Sequence, residues 1–194
     1  MRKSTKGSNT VKSYTYSPEE AERMLEEGNQ KYVSEKSASI NASEEVLKAS
    51  ANGQNPYAVI ITCSDSRVIP EAIFSAGIGD LFVIRVAGNV IDSHQLGSIE
   101  YAAEHLGTSL IVVLGHTHCG AVGAALHHQN SGYVKNITDE ILKAVGSEKD
   151  EMKACCLNVK HSCKVIENSL EIPGLKVVGA VYHLESGRVE FLKD

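Results

Sequence analysis

The sequence predicts an α/β fold in which helices flank a mostly parallel central β-sheet. Three apolar segments, at 57–62, 81–86 and 110–114, are continuous rather than alternating, which is the pattern of strands covered on both faces. Helix start and stop signals lie between these segments, and such alternation of strand and helix is typical of parallel sheets. With 194 residues, the chain is long enough for one domain with a sizeable core.

The N-terminal part predicts two helices before the first strand. Ser17 can cap the first helix and Pro18 suits its first turn, while the two glutamates that follow favour the positive end of the helix dipole. We expect this helix to end near Gly28 and a second helix to cover 44–50. A turn at 53–56 then leads into the first apolar strand.

The middle of the chain continues the alternation. The strand at 81–86 is followed by a predicted helix over 93–106, which Gly107 ends. After the strand at 110–114, a further helix is predicted over 119–128. This order of elements requires crossover connections, as a parallel sheet does.

The C-terminal part predicts a long helix over 149–170 and a closing pair of strands at 175–184 and 188–192. Three cysteines lie in that helix: Cys155, Cys156 and Cys163. A small thiol often packs in a core, and we expect these three to be non-catalytic. The His-Ser-Cys segment at 161–163 could mimic a metal site, but no second pair of ligands lies near it in the sequence.

The composition favours a cytoplasmic protein and argues against two classes of partner. A net charge of −5 does not suit binding to nucleic acid or to an anionic membrane, since both require a basic face. No apolar run approaches the roughly 20 residues needed to span a bilayer. Residues 1–16 lack the apolar core of a signal peptide, so we expect a flexible tail followed by a single domain at 17–194. Five cysteines, an odd number, predict reduced thiols and metal binding rather than a disulfide framework.

Two short motifs follow predicted strands: Cys-Ser-Asp-Ser-Arg at 63–67 and His-Thr-His-Cys-Gly at 116–120. Cys63, His116 and Cys119 offer two thiolates and an imidazole at spacings that suit a tetrahedral zinc ion. Three protein ligands with an open fourth position are typical of a catalytic zinc site. Ligands also gather at the carboxyl ends of strands in such sheets, so the predicted fold and the predicted site agree.

In these motifs the chain resembles the beta-class carbonic anhydrases. The resemblance runs from about residue 19 to the C-terminus, and the two metal motifs are highly specific when they occur in this order and at this separation. The matching segments are CSDSRV at 63–68, PEAIF at 70–74, GDLFVIRVAGNV at 79–90, GSIEYAAEHLG at 97–107, VVLGHTHCGAV at 112–122 and VVGAVYHLESGRV at 177–189.

The resemblance implies that Cys63, His116 and Cys119 hold one zinc ion per chain. It also gives Asp65 two possible roles. This carboxylate either pairs with Arg67 and leaves the fourth position to water, or moves in as a fourth ligand in a closed, inactive state. A bidentate pair with Arg67 would hold the carboxylate off the metal. The alternative for this pair is a purely structural salt bridge.

The implied reaction is the reversible hydration of carbon dioxide to bicarbonate and a proton through zinc-bound hydroxide. By resemblance, Gln54 contacts a substrate oxygen, while Phe82, Ala87 and Tyr101 line a narrow apolar pocket. The alternatives are a plain turn residue for Gln54 and ordinary core packing for the two aromatic side chains. Because two thiolates cancel the charge of the zinc, its water should be less acidic than at a three-histidine site, and turnover should rise with pH.

The sequence is also compatible with two other functions. A hydrolase for carbon disulfide or carbonyl sulfide could use the same ligands, and a zinc-containing binding or sensor module would need no turnover. The presence of Asp65, Arg67 and Gln54 favours an enzyme over such a module. The resemblance further implies a homodimer or homotetramer, with active sites near the dimer interface and N-terminal helices that pack on a partner subunit.

Overall fold

A five-stranded sheet lies at the centre of the protein, which a computed structural model describes at residues 15–35 and 40–193. Its strands are β1 (Ala58–Thr62), β2 (Leu81–Arg85), β3 (Leu110–His116), β4 (Lys176–Tyr182) and β5 (Val189–Phe191). The strands are arranged in the order β2-β1-β3-β4-β5, with β1 to β4 parallel and β5 antiparallel to β4. The predicted α/β fold with a mostly parallel sheet is therefore confirmed.

Seven α-helices connect or precede these strands in the described ranges. They are α1 (Pro18–Glu35), α2 (Glu44–Ser50), α3 (Pro70–Ile73), α4 (Ser93–His105), α5 (Gly120–Leu126), α6 (Val134–Val145) and α7 (Glu151–Ser169). Five of them were predicted, whereas α3, α6 and a short 3-10 turn over Ala87–Asn89 were not. None of the helices at 15–35 and 40–193 is long and apolar enough to cross a membrane.

Gly28 does not end α1, so the predicted boundary is wrong. This glycine lies inside the helix, where α1 meets the end of α3. A Cβ atom at Gly28 would lie 1.9 Å from the carbonyl oxygen of Phe74. The glycine is needed for the close approach of two segments rather than as a helix stop, and α1 continues to Glu35.

Helix α6 begins without a capping side chain. Its N-cap residue, Tyr133, makes no side-chain hydrogen bond to the first turn. The helix instead buries Thr138, Ile141 and Val145, and Gly146 ends it with a φ of 56°. A helix that depends on tertiary packing rather than on capping gives little local signal in the sequence.

Alternate side chains of β1 enter two cores on opposite faces of the sheet. Ile60 shares a buried cluster with Leu25 of α1, and Ile61 shares another with Ile99 of α4 and Val159 of α7. Helix α1 thus packs on the sheet of its own chain, while α2 has no buried residue. Contact between the N-terminal helices and a partner subunit stays a prediction.

The predicted tail at 1–16 lies outside the described residues, except for its last two. Thr15 donates a hydrogen bond from Oγ1 to Oδ1 of Asn55 at 3.1 Å. The carbonyl oxygen of Tyr16 accepts a bond from Ser109 Oγ at 2.7 Å. These contacts fix the chain just before α1.

Buried Asn29 of α1 contacts segments from two other parts of the chain. Its Nδ2 donates to the carbonyl oxygens of Ile73 and Gly187, at 3.1 and 2.9 Å. Its Oδ1 accepts from the backbone N–H of Val189 at 2.9 Å. One side chain therefore connects α1 to the end of α3 and to the start of β5.

The carboxyl ends of β1, β2 and β3 meet at one edge of the sheet. Thr62 is in register with Arg85 of β2 and with Leu114 of β3, and its hydroxyl donates to the carbonyl oxygen of Leu114 at 2.8 Å. Cys63 directly follows β1 and His116 ends β3. This register brings the two motifs that carry the predicted ligands to the same place.

Candidate metal centre

Cys63, His116 and Cys119 form a buried cluster at this edge. One possible ligand atom from each residue lies within 4.8 Å of the others. The two sulfur atoms are 4.0 Å apart, and the exposed fraction is 5% for Cys63, 0% for His116 and 7% for Cys119. The structure therefore brings together the three ligands that the sequence predicts.

The imidazole of His116 is oriented so that one nitrogen faces the sulfur atoms. Its Nδ1 lies 2.9 Å from the carbonyl oxygen of Thr117, which fixes the ring and leaves Nε2 as the atom available to a metal. Nε2 is buried and has no hydrogen-bond partner within the described part of the chain. A buried nitrogen without a partner beside two thiols fits a metal ion, and the Cys₂His donor set suits zinc.

A tight turn returns the chain from His116 to Cys119. His118 has a φ of 54°, in the left-handed region, and Cys119 is the N-cap of α5. The imidazole of His118 points away from the cluster, with Nε2 2.7 Å from Oε1 of Glu185. This turn allows residues three apart to face one metal, and His118 lies outside the cluster.

The thiols of Cys63 and Cys119 are close enough to shift each other's pKa. The S–H of Cys119 donates to Cys63, which lowers the pKa of Cys63, and the N–H of Gly88 acts in the same direction at 3.3 Å. The same contact raises the pKa of Cys119. Cys63 is therefore the more acidic of the two thiols.

Asp65 is held beside the cluster by Arg67. Nε and Nη2 of Arg67 donate to Oδ1 and Oδ2 at 2.9 and 2.7 Å, and its backbone N–H donates to Oδ1 at 2.9 Å. These bonds hold the pKa of Asp65 well below its usual range. Oδ2 lies 3.8 Å from Nε2 of His116. The carboxylate is thus ionised, next to the ligands and engaged by the guanidinium.

Comparison with known proteins identifies the family. The family model for carbonic anhydrase matches residues 58–189. The chain belongs to the carbonic anhydrase family. It is 40% identical over 188 residues to carbonic anhydrase 2 of Mycobacterium tuberculosis, an alignment that covers 88% of this chain and 91% of the relative.

Solved structures agree on the beta class. The chain is similar to a beta-carbonic anhydrase of Aspergillus fumigatus, with a TM-score of 0.71, 29% identity and 89% coverage of both chains. It is also similar to tetrameric beta-carbonic anhydrases of Sordaria macrospora, with a TM-score of 0.71, 26% identity, and 87% and 94% coverage. The chain is therefore an enzyme of the carbonate dehydratase type, a beta-class family whose general reaction is the hydration of carbon dioxide.

The four residues of this chain that were predicted to line the pocket differ in how close they lie to the metal cluster. Ala87 lies next to Gly88, whose N–H contacts Cys63. Gln54 is exposed in the turn before β1, at the opposite end of that strand from Cys63. Within one chain, only Ala87 among the four lies beside the cluster.

The two aromatic residues lie at the same distant end as Gln54. Phe82 pairs in register with Val59, four residues before Cys63, which corresponds to about 13 Å along a strand. The ring of Tyr101 is 6.3 Å from that of Phe82, and Tyr101 is 46% exposed. A single chain therefore does not bring these side chains to its own metal cluster.

Arg85 also holds the site in place, which was not predicted. Its Nη2 donates to the carbonyl oxygen of Asp65 at 2.7 Å, and its Nε donates to that of Cys63 at 3.2 Å. Arg85 thus fixes the backbone that carries a ligand and the carboxylate. A basic residue at the end of the neighbouring strand was the only available signal, and strand register is needed to interpret it.

Proposed function

We propose that this chain catalyses the reversible hydration of carbon dioxide to bicarbonate and a proton, with one zinc ion per chain held by Cys63, His116 and Cys119. The observation that carries the proposal is the buried cluster of three donor atoms within 4.8 Å, beside a carboxylate that Arg67 engages. When bound, zinc would supply a Lewis acid that activates water as a nucleophile at neutral pH.

Asp65 and Arg67 have separate tasks in this proposal. As an ionised carboxylate, Asp65 can only accept hydrogen bonds, so Oδ2 orients a water molecule next to the ligands. Arg67 occupies both carboxylate oxygens and keeps Asp65 from acting as a fourth ligand. The resting state is therefore the one in which Asp65 is off the metal.

The pocket is completed by a second copy of the chain. Gln54, Phe82 and Tyr101 lie away from the cluster of their own chain, so they serve a site only across an interface. Unpartnered apolar side chains support such an interface, since α2 has no buried residue and Leu47 on it is 50% exposed. We propose a homodimer as the minimal active unit, which can assemble further into a tetramer.

The proposed setting is the cytoplasm, and the substrates are small molecules rather than nucleic acid or membrane. All five cysteines are free thiols, which supports a reducing compartment. The net charge of −5 argues against polyanionic partners.

Stopped-flow measurement of carbon dioxide hydration tests the proposal on zinc-loaded protein. We expect turnover that falls about 100-fold in Asp65→Ala, since loss of orientation of a reacting group by about 1 Å can cost that much. Asp139→Ala is the matched control, because Asp139 is an exposed carboxylate paired with Lys135 at 2.6 Å. It should keep full activity.

Absence of turnover, with one zinc per chain confirmed, would overturn the proposed reaction. The same samples should then be assayed with carbon disulfide and carbonyl sulfide. Hydrolysis of either would indicate a heterocumulene hydrolase, and inactivity toward all three would indicate a binding module.

A further inference from the structure

Helix α7 presents three buried polar side chains to the backbone around the metal cluster. Cys155, Asn158 and Ser162 are 4%, 1% and 2% exposed, and their spacing places them on one helix face. Each donates to a backbone carbonyl oxygen near a ligand. Cys155 Sγ donates to His116 at 3.4 Å, Asn158 Nδ2 to Gly88 at 2.8 Å, and Ser162 Oγ to Asn89 at 3.1 Å.

Gly88 is the only one of these three acceptors that also contacts a ligand sulfur through its N–H. That N–H donates to Cys63 at 3.3 Å, while its carbonyl oxygen accepts from Asn158. Both backbone polar groups of Gly88 are therefore used, one by a side chain of α7 and one by the thiolate. Gly88 is therefore the single residue that connects Asn158 to the Cys63 sulfur through hydrogen bonds.

The conformation of Gly88 needs to be held by contacts from outside its own turn, such as the hydrogen bond from Asn158. It adopts a φ of 68° and a ψ of 18°, a left-handed conformation that glycine tolerates but does not by itself maintain. A Cβ atom there would lie 2.8 Å from Ile141 Cδ1 and 3.0 Å from Ala121 Cβ, so no larger residue can stiffen the turn. The direction of the N–H therefore depends on groups that hold the turn from outside.

We infer that Asn158 is a positioning residue for the metal centre. It fixes Gly88 so that the N–H remains on the Cys63 sulfur, and this bond withdraws charge from the thiolate and sets its donor strength toward the metal. Partners beyond the ligands themselves commonly change metal affinity 10- to 100-fold. The inference rests on the metal site of the proposed function but not on the reaction.

Ser162 provides the matched control on the same helix face. It makes an equally buried hydrogen bond to the same turn, yet the backbone N–H of its acceptor, Asn89, donates to the carbonyl oxygen of Val86 rather than to a ligand sulfur. A purely structural role for the polar face predicts similar effects at both positions. A positioning role predicts a sulfur-specific effect at Asn158 alone.

The experiment uses the full chain loaded with Co²⁺, whose thiolate-to-metal charge-transfer band reports directly on the sulfur donors. Asn158→Leu should move this band to lower energy, because the sulfur would keep more of its charge. It should also weaken zinc binding about 10- to 100-fold in competition with a chromophoric chelator, because the turn would no longer hold Cys63 in place. Ser162→Ala should lower the unfolding midpoint but leave the band in place. Asn158→Ser, a smaller variant whose hydroxyl is too short to reach Gly88, repeats the measurement if the leucine variant does not fold.

Each outcome has one meaning. A band that does not move in either Asn158 variant, or that moves equally in Ser162→Ala, overturns the inference. A band that moves as expected in a protein without carbon dioxide hydration supports the inference and overturns only the proposed reaction. A wild-type chain that fails to bind Co²⁺ or zinc overturns both.

Discussion

Arg67 donates two side-chain hydrogen bonds to Asp65, from Nε to Oδ1 at 2.9 Å and from Nη2 to Oδ2 at 2.7 Å. The same Nη2 lies 3.2 Å from the carbonyl oxygen of His118, in the turn that carries two of the three ligands. The guanidinium therefore connects the segment after β1 with the segment after β3. This fixes the carboxylate relative to His116 and Cys119 rather than relative to its own loop alone.

Arg67→Lys is predicted to lower turnover about 10- to 100-fold, since an ammonium group cannot reproduce the bidentate geometry. Loss of the second hydrogen bond also frees Asp65 to approach the metal. Stopped-flow kinetics give the rate, and the spectrum of the Co²⁺-loaded variant shows a change of ligand set. Arg23→Lys is the control, because Arg23 is exposed on α1 and pairs with exposed Glu27. Unchanged turnover in Arg67→Lys would contradict the assigned role.

Turnover of the zinc-loaded protein is predicted to rise between about pH 6.5 and 9. Two thiolates neutralise the charge of a zinc ion, so water activated there is less acidic than at a three-histidine site. Asp65 contributes no pH dependence in this range, because Arg67 holds its pKa well below the usual carboxyl range. A flat stopped-flow profile over the same interval would contradict the prediction.

The contribution of Asp65 to the free energy of unfolding is predicted to be lost at low pH. Since its pKa is lowered by folding, the contribution is complete above the ordinary carboxyl pKa of about 4 and is lost as the pH falls through the lowered value. The loss of unfolding free energy caused by Asp65→Asn should therefore grow as the pH rises from about 2 to 5. Urea unfolding at several pH values measures it, and a difference that shrinks with rising pH would be inconsistent with the ionised pair.

Mixed oligomers test whether Gln54 serves the site of a partner subunit. Gln54→Ala and Cys63→Ser should each be nearly inactive alone. If the partner supplies Gln54, each mixed dimer has one intact site out of two. Because about half of the dimers are mixed after random mixing of equal amounts, about a quarter of all sites are restored. Carbon dioxide hydration by the two variants after they are refolded together measures the restored fraction. Recovery no greater than the sum of the separate variants would exclude an exchange across the interface.

The matched control for mixing pairs Cys63→Ser with Asp65→Ala. Both residues belong to the site of one chain, so no mixed dimer contains an intact site. No ratio of this mixture should exceed the residual activity of Asp65→Ala alone. Recovery in this control would show that activity returns for a reason other than complementation.

Gly88→Ala is predicted to destabilise the protein by about 1–3 kcal/mol through overpacking and an unfavourable left-handed alanine. The new methyl group would meet Ile141 and Ala121. Gly120→Ala, also beside a ligand, is the control, because a Cβ atom there meets nothing within 4 Å. Urea unfolding of the two variants should differ clearly, and equal stability would contradict the packing argument.

The cluster of three possible ligands could be predicted from the sequence because the chemistry of its members is local. Cys63, His116 and Cys119 follow buried strands, and the carboxyl ends of parallel strands share an edge. The strands themselves are continuous apolar runs and were predicted within a few residues. These parts of the molecule depend on patterns that a single segment contains.

Features that depend on distant contacts escaped prediction. Glycine is a residue type that often ends a helix, but Gly28 is needed because α1 closely approaches Phe74, which lies 46 residues further along the chain. Helix α6 depends on its buried face, and the contacts of Arg85 depend on strand register. Gln54, Phe82 and Tyr101 were assigned by resemblance, and in one chain they lie away from the cluster.

The hydrogen bonds of Asn29 make the first helix and the last strand one cooperative unit. If α1 separates from the sheet, the carbonyl oxygens of Ile73 and Gly187 and the N–H of Val189 lose their partner together. Amide protons at both ends of the chain should therefore exchange with solvent through a shared opening event. For the same reason, deletion of α1 would loosen the C-terminal hairpin as well, although more than 150 residues separate the two segments.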